Sequence, residues 1–197
     1  MRAPKGQNFL YQREWLARVA AAVVLGDDVL VIGGGPGGLT ALLARQSRRL
    51  WVVELDAALA AGLRQQGFRV IEGDILDVDL SALAAQEGVA RWQVAGNLPD
   101  YITSPILLHL FRHAGRIAVA TLLVQREVAE RLAAVPGTRA FGLLTATAQF
   151  VSRVLGARLI ADTGEWGTFA WTQFVVGTPG LRIAGGTDEI LKNIIAE

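Results

Sequence analysis

Val29-Leu30-Val31-Ile32-Gly33-Gly34-Gly35-Pro36-Gly37-Gly38 decides how the rest of the chain is read. A short apolar run closed by glycines is the pattern of a buried strand, here Asp27–Gly33. Leu39–Gln46 follows it with helical spacing. Working outward, Leu50–Leu55 and Arg69–Glu72 read as strands, with an Ala/Leu-rich helix over Ala57–Gln66 between them. Trp92–Ala95 is a fourth strand, leading into Gly96-Asn97-Leu98-Pro99. Pro105–Arg112 is a helix, Ile117–Val124 a continuous apolar strand, and Gln125–Ala134 an amphipathic helix. Strands that are apolar along their whole length, alternating with helices, predict an α/β domain with a mostly parallel, doubly wound sheet covered on both faces.

In such sheets ligands bind beyond the carboxyl ends of the strands. The residues that end these strands, Gly33–Gly38, Glu54, Asp74 and Asn97, are therefore the candidate site. The glycine loop fits two spacings. Gly33, Gly35 and Gly38 match the G-x-G-x-x-G of flavin or nicotinamide binders, and Gly33, Gly35 and Gly37 match the G-x-G-x-G of methyltransferases. Glu54 at the end of the second strand suits either, because a carboxylate there can accept both hydroxyls of an adenosine ribose. Five glycines in six positions imply a close approach of backbone to ligand beyond the needs of a turn.

Composition narrows the classes. About half of the 197 residues are hydrophobic and there is no cysteine, so disorder, a disulfide scaffold and Cys-zinc sites are excluded. The charge-free runs Phe141–Ser152 and Gly167–Leu181 are too short or too interrupted to cross a membrane. Met1–Gly6 has no apolar core behind it, so no signal peptide is expected. A cytoplasmic protein without metal or membrane partners is the expectation. Basic residues outnumber acidic ones before Val154, and the balance reverses after it.

Four further segments carry a resemblance. Gly96-Asn97-Leu98-Pro99-Asp100-Tyr101-Ile102-Thr103-Ser104-Pro105 resembles the N-L-P-Y-x-I-[ST]-[ST]-P segment of the ribosomal RNA adenine N6-dimethyltransferases. Gly6-Gln7-Asn8-Phe9-Leu10 is similar to that family's entry segment. Val124–Leu132 resembles its V-Q-[KR]-E-V-A-x-R-L helix, and Gly137 with Phe141, Gly142 and Leu144 its P-G-x-x-x-[YF]-G-x-L stretch. The match runs from about residue 5 to 153. It implies a Rossmann-like class I methyltransferase fold and transfer of a methyl group from S-adenosylmethionine to N6 of adenine in RNA, ribosomal RNA or its small-subunit precursor.

By the same resemblance, Asn8 and Leu10 lie along the methionine end of the cofactor. Gly33 and Gly35 lie under it, Glu54 on its ribose and Asp74 on its adenine. Asn97, Leu98 and Pro99 form the catalytic segment, in which Asn97 polarises the target amino group. Two departures imply reduced activity. Val31 stands where the family has an acidic residue, and Asp100 replaces the expected aromatic that stacks on the target base. Tyr101 is adjacent, but an extended backbone would turn it to the opposite side.

Residues 154–197 are expected to be an atypical tail. Leu155-Gly156, Gly164-Glu165-Trp166-Gly167 and Arg182–Ile190 resemble the end of an acyl-CoA dehydrogenase. The sheet is then expected to lack its last strands, and the family's helical RNA-contacting domain to be missing. The strand Ile117–Val124 would be an uncovered edge, open to self-association. A substitute strand, for which Phe174-Val175-Val176 is the β-branched candidate, would pair this edge, but partial cover by the aromatic segment Gly164–Gly180, in irregular conformation, is the expected remedy. The competing readings are a catalytically inactive relative that binds cofactor or RNA, and a flavin-binding oxidoreductase fragment.

Overall fold

A computed structural model describes residues 13–23, 26–125, 128, 129, 132, 142, 145, 158–162 and 169–175. The elements run α1 Arg13–Ala22, β1 Asp28–Ile32, α2 Gly38–Ala44, β2 Arg49–Glu54, α3 Ala57–Gln65, β3 Arg69–Glu72, α4 Leu80–Glu87, β4 Trp92–Asn97, α5 Thr103–Arg112, β5 Ile117–Gln125, β6 Arg158–Asp162 and β7 Phe169–Val175. Short 3-10 turns precede α4, α5 and β5. Among the described residues the strands form one sheet in the order β3-β2-β1-β4-β5-β7-β6. The first five are parallel, and β7 is antiparallel to both β5 and β6.

Strand geometry sorts the core into two layers, because successive side chains point to opposite faces. Leu30 and Ile32 of β1 join Trp51, Val53, Trp92 and Val94 on the face covered by α4 and α5. Val29 and Val31 join Val52, Ala95 and Leu123 on the other face, under α1, α2 and α3. β1 is buried along its whole length, as a central strand covered on both faces must be. In the first layer, Trp51 and Trp92 meet edge to face at 5.0 Å, and the Trp92 indole N–H donates to the Leu80 carbonyl at 3.1 Å. At the opposite end of β1 from the glycine loop, Asp28 is buried and accepts from Arg48 and Arg49. The Arg49 guanidinium, followed by that of Arg48, outweighs burial and holds the Asp28 carboxyl below its ordinary value.

Two helices are additions to the sequence reading. α1 buries Val19, Ala20 and Val23 against the second layer. α4 is capped by Asp79, whose side chain accepts from the N–H groups of Ser81 and Ala82. Of the helix expected over Gln125–Ala134, Gln125 belongs to β5, while Val128, Ala129 and Leu132 are helical and buried. Two further helices that apolar spacing predicts, over Phe141–Leu155 and Ile190–Glu197, fall almost wholly outside the described residues.

The expectation of missing last strands is overturned. β7 pairs with β5 from Val119↔Val175 to Gln125↔Phe169, and β6 pairs with β7. Hence β5 is not a bare edge, and that ground for self-association is gone. The physical reason is that seven consecutive pairings satisfy the N–H and C=O groups that an irregular cover would leave open. Phe169, Trp171, Thr172, Phe174 and Val175 also supply the aromatic and β-branched residues that strands favour. The aromatic segment expected to pack irregularly is, over Phe169–Val175, a strand.

Candidate cofactor and base site

Parallel register brings the ends of β1, β2, β3 and β4 to one rim. Ile32 is level with Val53 on one side and with Gly96 on the other, Glu54 is level with Glu72, and Asn97 with Leu123. The chain therefore leaves the sheet at Gly33, Leu55, Gly73 and Leu98 along a single edge. The candidate residues Gly33, Gly35, Glu54, Asp74 and Asn97 all belong to it. Asn8 and Leu10 lie outside the described residues.

The glycine loop is fixed from two directions. The Gly33 N–H donates to the Val53 carbonyl at 2.9 Å, and the Gly35 N–H donates to Glu54 Oε2 at 2.9 Å. Gly33 has φ 69°, a left-handed conformation that side chains other than glycine's rarely adopt. A Cβ on Gly34 would stand 2.6 Å from Val52 Cγ1 and 2.7 Å from Leu63 Cδ1. Part of the glycine richness is thus close packing against β2 and α3 rather than ligand approach.

Glu54 is buried, and its other oxygen, Oε1, accepts from the Asp56 N–H at 3.0 Å. A carboxylate offers about four acceptor positions, so these two bonds orient the group and leave room for two more. Asp74 begins the 3-10 turn after β3 and accepts from the Leu76 N–H at 2.9 Å through Oδ1. That bond occupies one oxygen. The pairing is that of a turn cap, and it leaves Oδ2 to accept from a ligand.

Asn97 closes β4 beside β1: a Cβ on Gly33 would lie 3.9 Å from the Asn97 carbonyl oxygen. Next to it Gly96 has no space for a side chain, since a Cβ there would be 2.7 Å from the Ile32 carbonyl oxygen. Leu98 is buried and its N–H donates to the Leu123 carbonyl at 3.0 Å. The Pro99 carbonyl accepts from the Ile102 N–H at 3.2 Å and from Thr103 Oγ1 at 2.9 Å. Of the expected catalytic segment, Leu98 and Pro99 thus hold the backbone in place, and Asn97 is the member with a polar side chain at the strand end.

One expectation is corrected here. Asp100–Ile102 form a 3-10 turn, not an extended segment. Alternation of sides does not apply in such a turn, so adjacency to Asp100 does not turn Tyr101 away from the rim. Two side chains stand out, of which Leu55 has no site role in the sequence reading. Leu55 is 62% exposed and Tyr101 is 66% exposed, the exposed large hydrophobics among the described residues. Both follow strand ends of the same rim. For Leu55 the signal available in the sequence was an apolar residue immediately after Glu54.

Val31 is fully buried, level with Val52 and Ala95. On the same face and in the same row, Thr121 is level with Ala95. Among the described residues the buried hydroxyls of Thr121 and of Thr40 on α2 have no hydrogen-bond partner. The layer beneath the site is apolar at Val31 and poorly satisfied beside it.

Comparison with known proteins agrees with this geometry. Residues 1–155 match the family described as ribosomal RNA adenine dimethylase. A ribosomal RNA small subunit methyltransferase A from Acidobacterium capsulatum is 49% identical over 156 residues, which are 76% of this chain and 54% of that protein. The protein of the same name from Geobacter metallireducens is 44% identical over 148 residues, 71% of this chain and 54% of the relative. The chain spans about half the length of these relatives. Among solved structures, a dimethyladenosine transferase from Plasmodium falciparum aligns with a TM-score of 0.67 at 20% identity, over 87% of this chain and 64% of that one. The 23S rRNA methyltransferase ErmE aligns with a TM-score of 0.67 at 24% identity, over 89% of this chain and 72% of that one. At these identities the two structures establish the Rossmann-like methyltransferase fold. No helix of the described residues is long and apolar enough to cross a membrane.

Proposed function

Since the chain belongs to the ribosomal RNA adenine dimethylase family, we propose that it binds S-adenosylmethionine at the strand-end rim and transfers the methyl group to N6 of an adenine in ribosomal RNA. The observation that carries this reading is the common edge formed by Gly33, Gly35, Glu54, Asp74 and Asn97, with Glu54 already oriented by the Gly35 and Asp56 N–H groups. The bound cofactor supplies the electrophilic methyl group. Glu54 accepts from the ribose hydroxyls, Asp74 accepts from the adenine amino group, and Leu55 offers an apolar surface between them. Asn8 and Leu10 are assigned to the methionine end by resemblance.

Adenine N6 is a weak nucleophile because its lone pair is delocalised into the ring. Asn97 and a neighbouring carbonyl accept its hydrogens and concentrate electron density on the nitrogen. Transfer then depends on holding donor and acceptor in line rather than on a strong base. The partner is RNA, ribosomal or a small-subunit precursor. Residues 154–197 are read as a dehydrogenase-like fragment without flavin chemistry of its own, despite the strands it contributes.

A second reading, binding without efficient transfer, is favoured by Val31 and by Asp100 in place of an aromatic. The flavin reading has the glycine spacing and the dehydrogenase-like tail in its favour, and it does not account for the segment Asn97–Pro105. Calorimetry with S-adenosylhomocysteine tests the cofactor site, and transfer of a labelled methyl group to adenine-containing RNA tests the reaction. No binding of S-adenosylhomocysteine rejects the cofactor assignment. Binding without transfer selects the second reading, and Asp100→Tyr is then expected to raise transfer.

A further inference from the structure

We propose that Tyr101 supplies the stacking face for an unstacked purine base of single-stranded RNA at this site. The inference deepens the proposed function and rests on its placement of the reacting adenine near Asn97.

An enzyme that works on a base must take it out of its stack, and the site must replace the lost stacking with an apolar or aromatic surface. Among the residues whose burial is described, Tyr101 is the exposed aromatic. Trp51, Trp92 and Phe111 are buried in the core. Trp51 is further enclosed by the guanidinium groups of Arg49 and Arg69 at 5.0 and 5.4 Å, whereas the Tyr101 ring has no such partner among the described residues. It follows Asn97 by four positions, which limits the separation of the two backbones to about 13 Å even if extended. The intervening turn makes it shorter.

The turn that carries Tyr101 is held in place. Leu98 is buried and bonded to the Leu123 carbonyl, and the Pro99 carbonyl accepts from both Ile102 and Thr103. Ile102 packs against the first core layer. Rigid neighbours on both sides with a two-thirds exposed ring between them leave little conformational entropy to lose on stacking. The ring is neutral, so it approaches a phosphate-bearing strand without repulsion, and a base stacks on it regardless of its hydrogen-bonding edges. Specificity for adenine then comes from Asn97 and not from Tyr101.

The experiment uses the full chain and a single-stranded RNA oligonucleotide carrying 2-aminopurine, whose fluorescence is quenched by stacking. The unsubstituted protein and Tyr101→Phe are expected to bind the oligonucleotide and quench it. Tyr101→Ala is expected to bind it at least fivefold more weakly and to lose the quench. All three are expected to bind S-adenosylhomocysteine with equal affinity in calorimetry. Equal quenching by Tyr101→Ala, or no quenching by the unsubstituted protein, overturns the proposal. A parallel loss of S-adenosylhomocysteine binding in Tyr101→Ala overturns it as well, by assigning the residue to the cofactor. Quenching by a protein that binds no S-adenosylhomocysteine keeps the stacking role and rejects the methyl-transfer reading.

Discussion

The Gly35 N–H donates to Glu54 Oε2 at 2.9 Å, so the loop after the first strand is tied to the last residue of the second. One carboxylate therefore shapes the loop and faces the rim. Glu54→Ala should weaken S-adenosylhomocysteine binding at least tenfold, because a hydrogen bond to a charged group is worth roughly 1.5–3 kcal/mol. Glu54→Gln, which keeps one acceptor oxygen, should fall between. Calorimetry decides, and unchanged affinity in Glu54→Ala removes Glu54 from the site.

Gly96 of β4 is level with Ile32 of β1. Gly96→Ala would place a methyl group 2.7 Å from the Ile32 carbonyl oxygen, a backbone atom that cannot step aside. Overpacking of this kind costs about 1–3 kcal/mol, and the shift is passed directly to Gly33 and Asn97. A lower urea midpoint together with weaker S-adenosylhomocysteine binding is expected. A variant as stable as the parent would show that the strands separate without strain.

The orphan hydroxyls of Thr40 and Thr121 invite replacement by the isosteric Val. A buried hydroxyl without a partner keeps its desolvation cost and returns nothing. Thr121→Val should stabilise the protein by about 1 kcal/mol, read as a higher denaturation midpoint. It also extends the apolar row from Val31 through Ala95. A loss of stability would mean that the hydroxyl has a partner, such as a buried water.

Stability should depend on pH through two groups of opposite charge type. Burial, the largest influence, holds His109 below its ordinary value of 6.5, with His113 and Arg112 adding to the effect. The Val78 carbonyl and Asp79 oppose it. The unfolded chain then binds more protons below 6.5, so stability falls as pH drops from neutral through 6.5 towards the folded value. Asp28 is held below 3.8 by Arg49 and Arg48, so its contribution is present above 3.8 and is lost as pH falls through the lower folded value. Melting temperatures between pH 7.5 and 5.5 should fall less steeply in His109→Gln than in the parent. Parallel slopes would assign the acid sensitivity elsewhere.

The parallel core was legible because each of its strands is an apolar run ending in a glycine or a polar residue. β3 Arg69–Glu72 agrees residue for residue. α4 was legible in principle and passed over. Asp79 caps its start and Gly88, at φ 63°, its end, but the eight residues between have little sidedness. Leu16, Val19, Ala20 and Val23 show helical spacing, a signal for α1 that the sequence reading leaves unused. The turn at Asp100–Ile102 was misread because extended geometry was carried past Pro99, where the following carbonyl bonds instead close a turn. The bond from Gly35 to Glu54 had no sequence signature, since any carboxylate at that strand end would look the same. β7 is only partly legible: Phe174-Val175-Val176 offers a strand, but the surrounding glycines and threonines favour irregular chain, whereas the open side of β5 supplies the pairing that makes Phe169–Val175 a strand.

The position of β1 in the middle of the sheet bears on how the protein is made. Among the described strands β1 is the first to leave the ribosome, and its second neighbour, β4, is about sixty residues behind it. At about 5–20 residues per second, one side of Val29–Ile32 waits roughly 3–12 seconds for Gln93–Gly96. During that interval a fully apolar strand is exposed to other nascent chains. Slower elongation over residues 33–92 lengthens the exposure, so the yield of soluble protein should respond to codon choice in that interval more than to codon choice after β4.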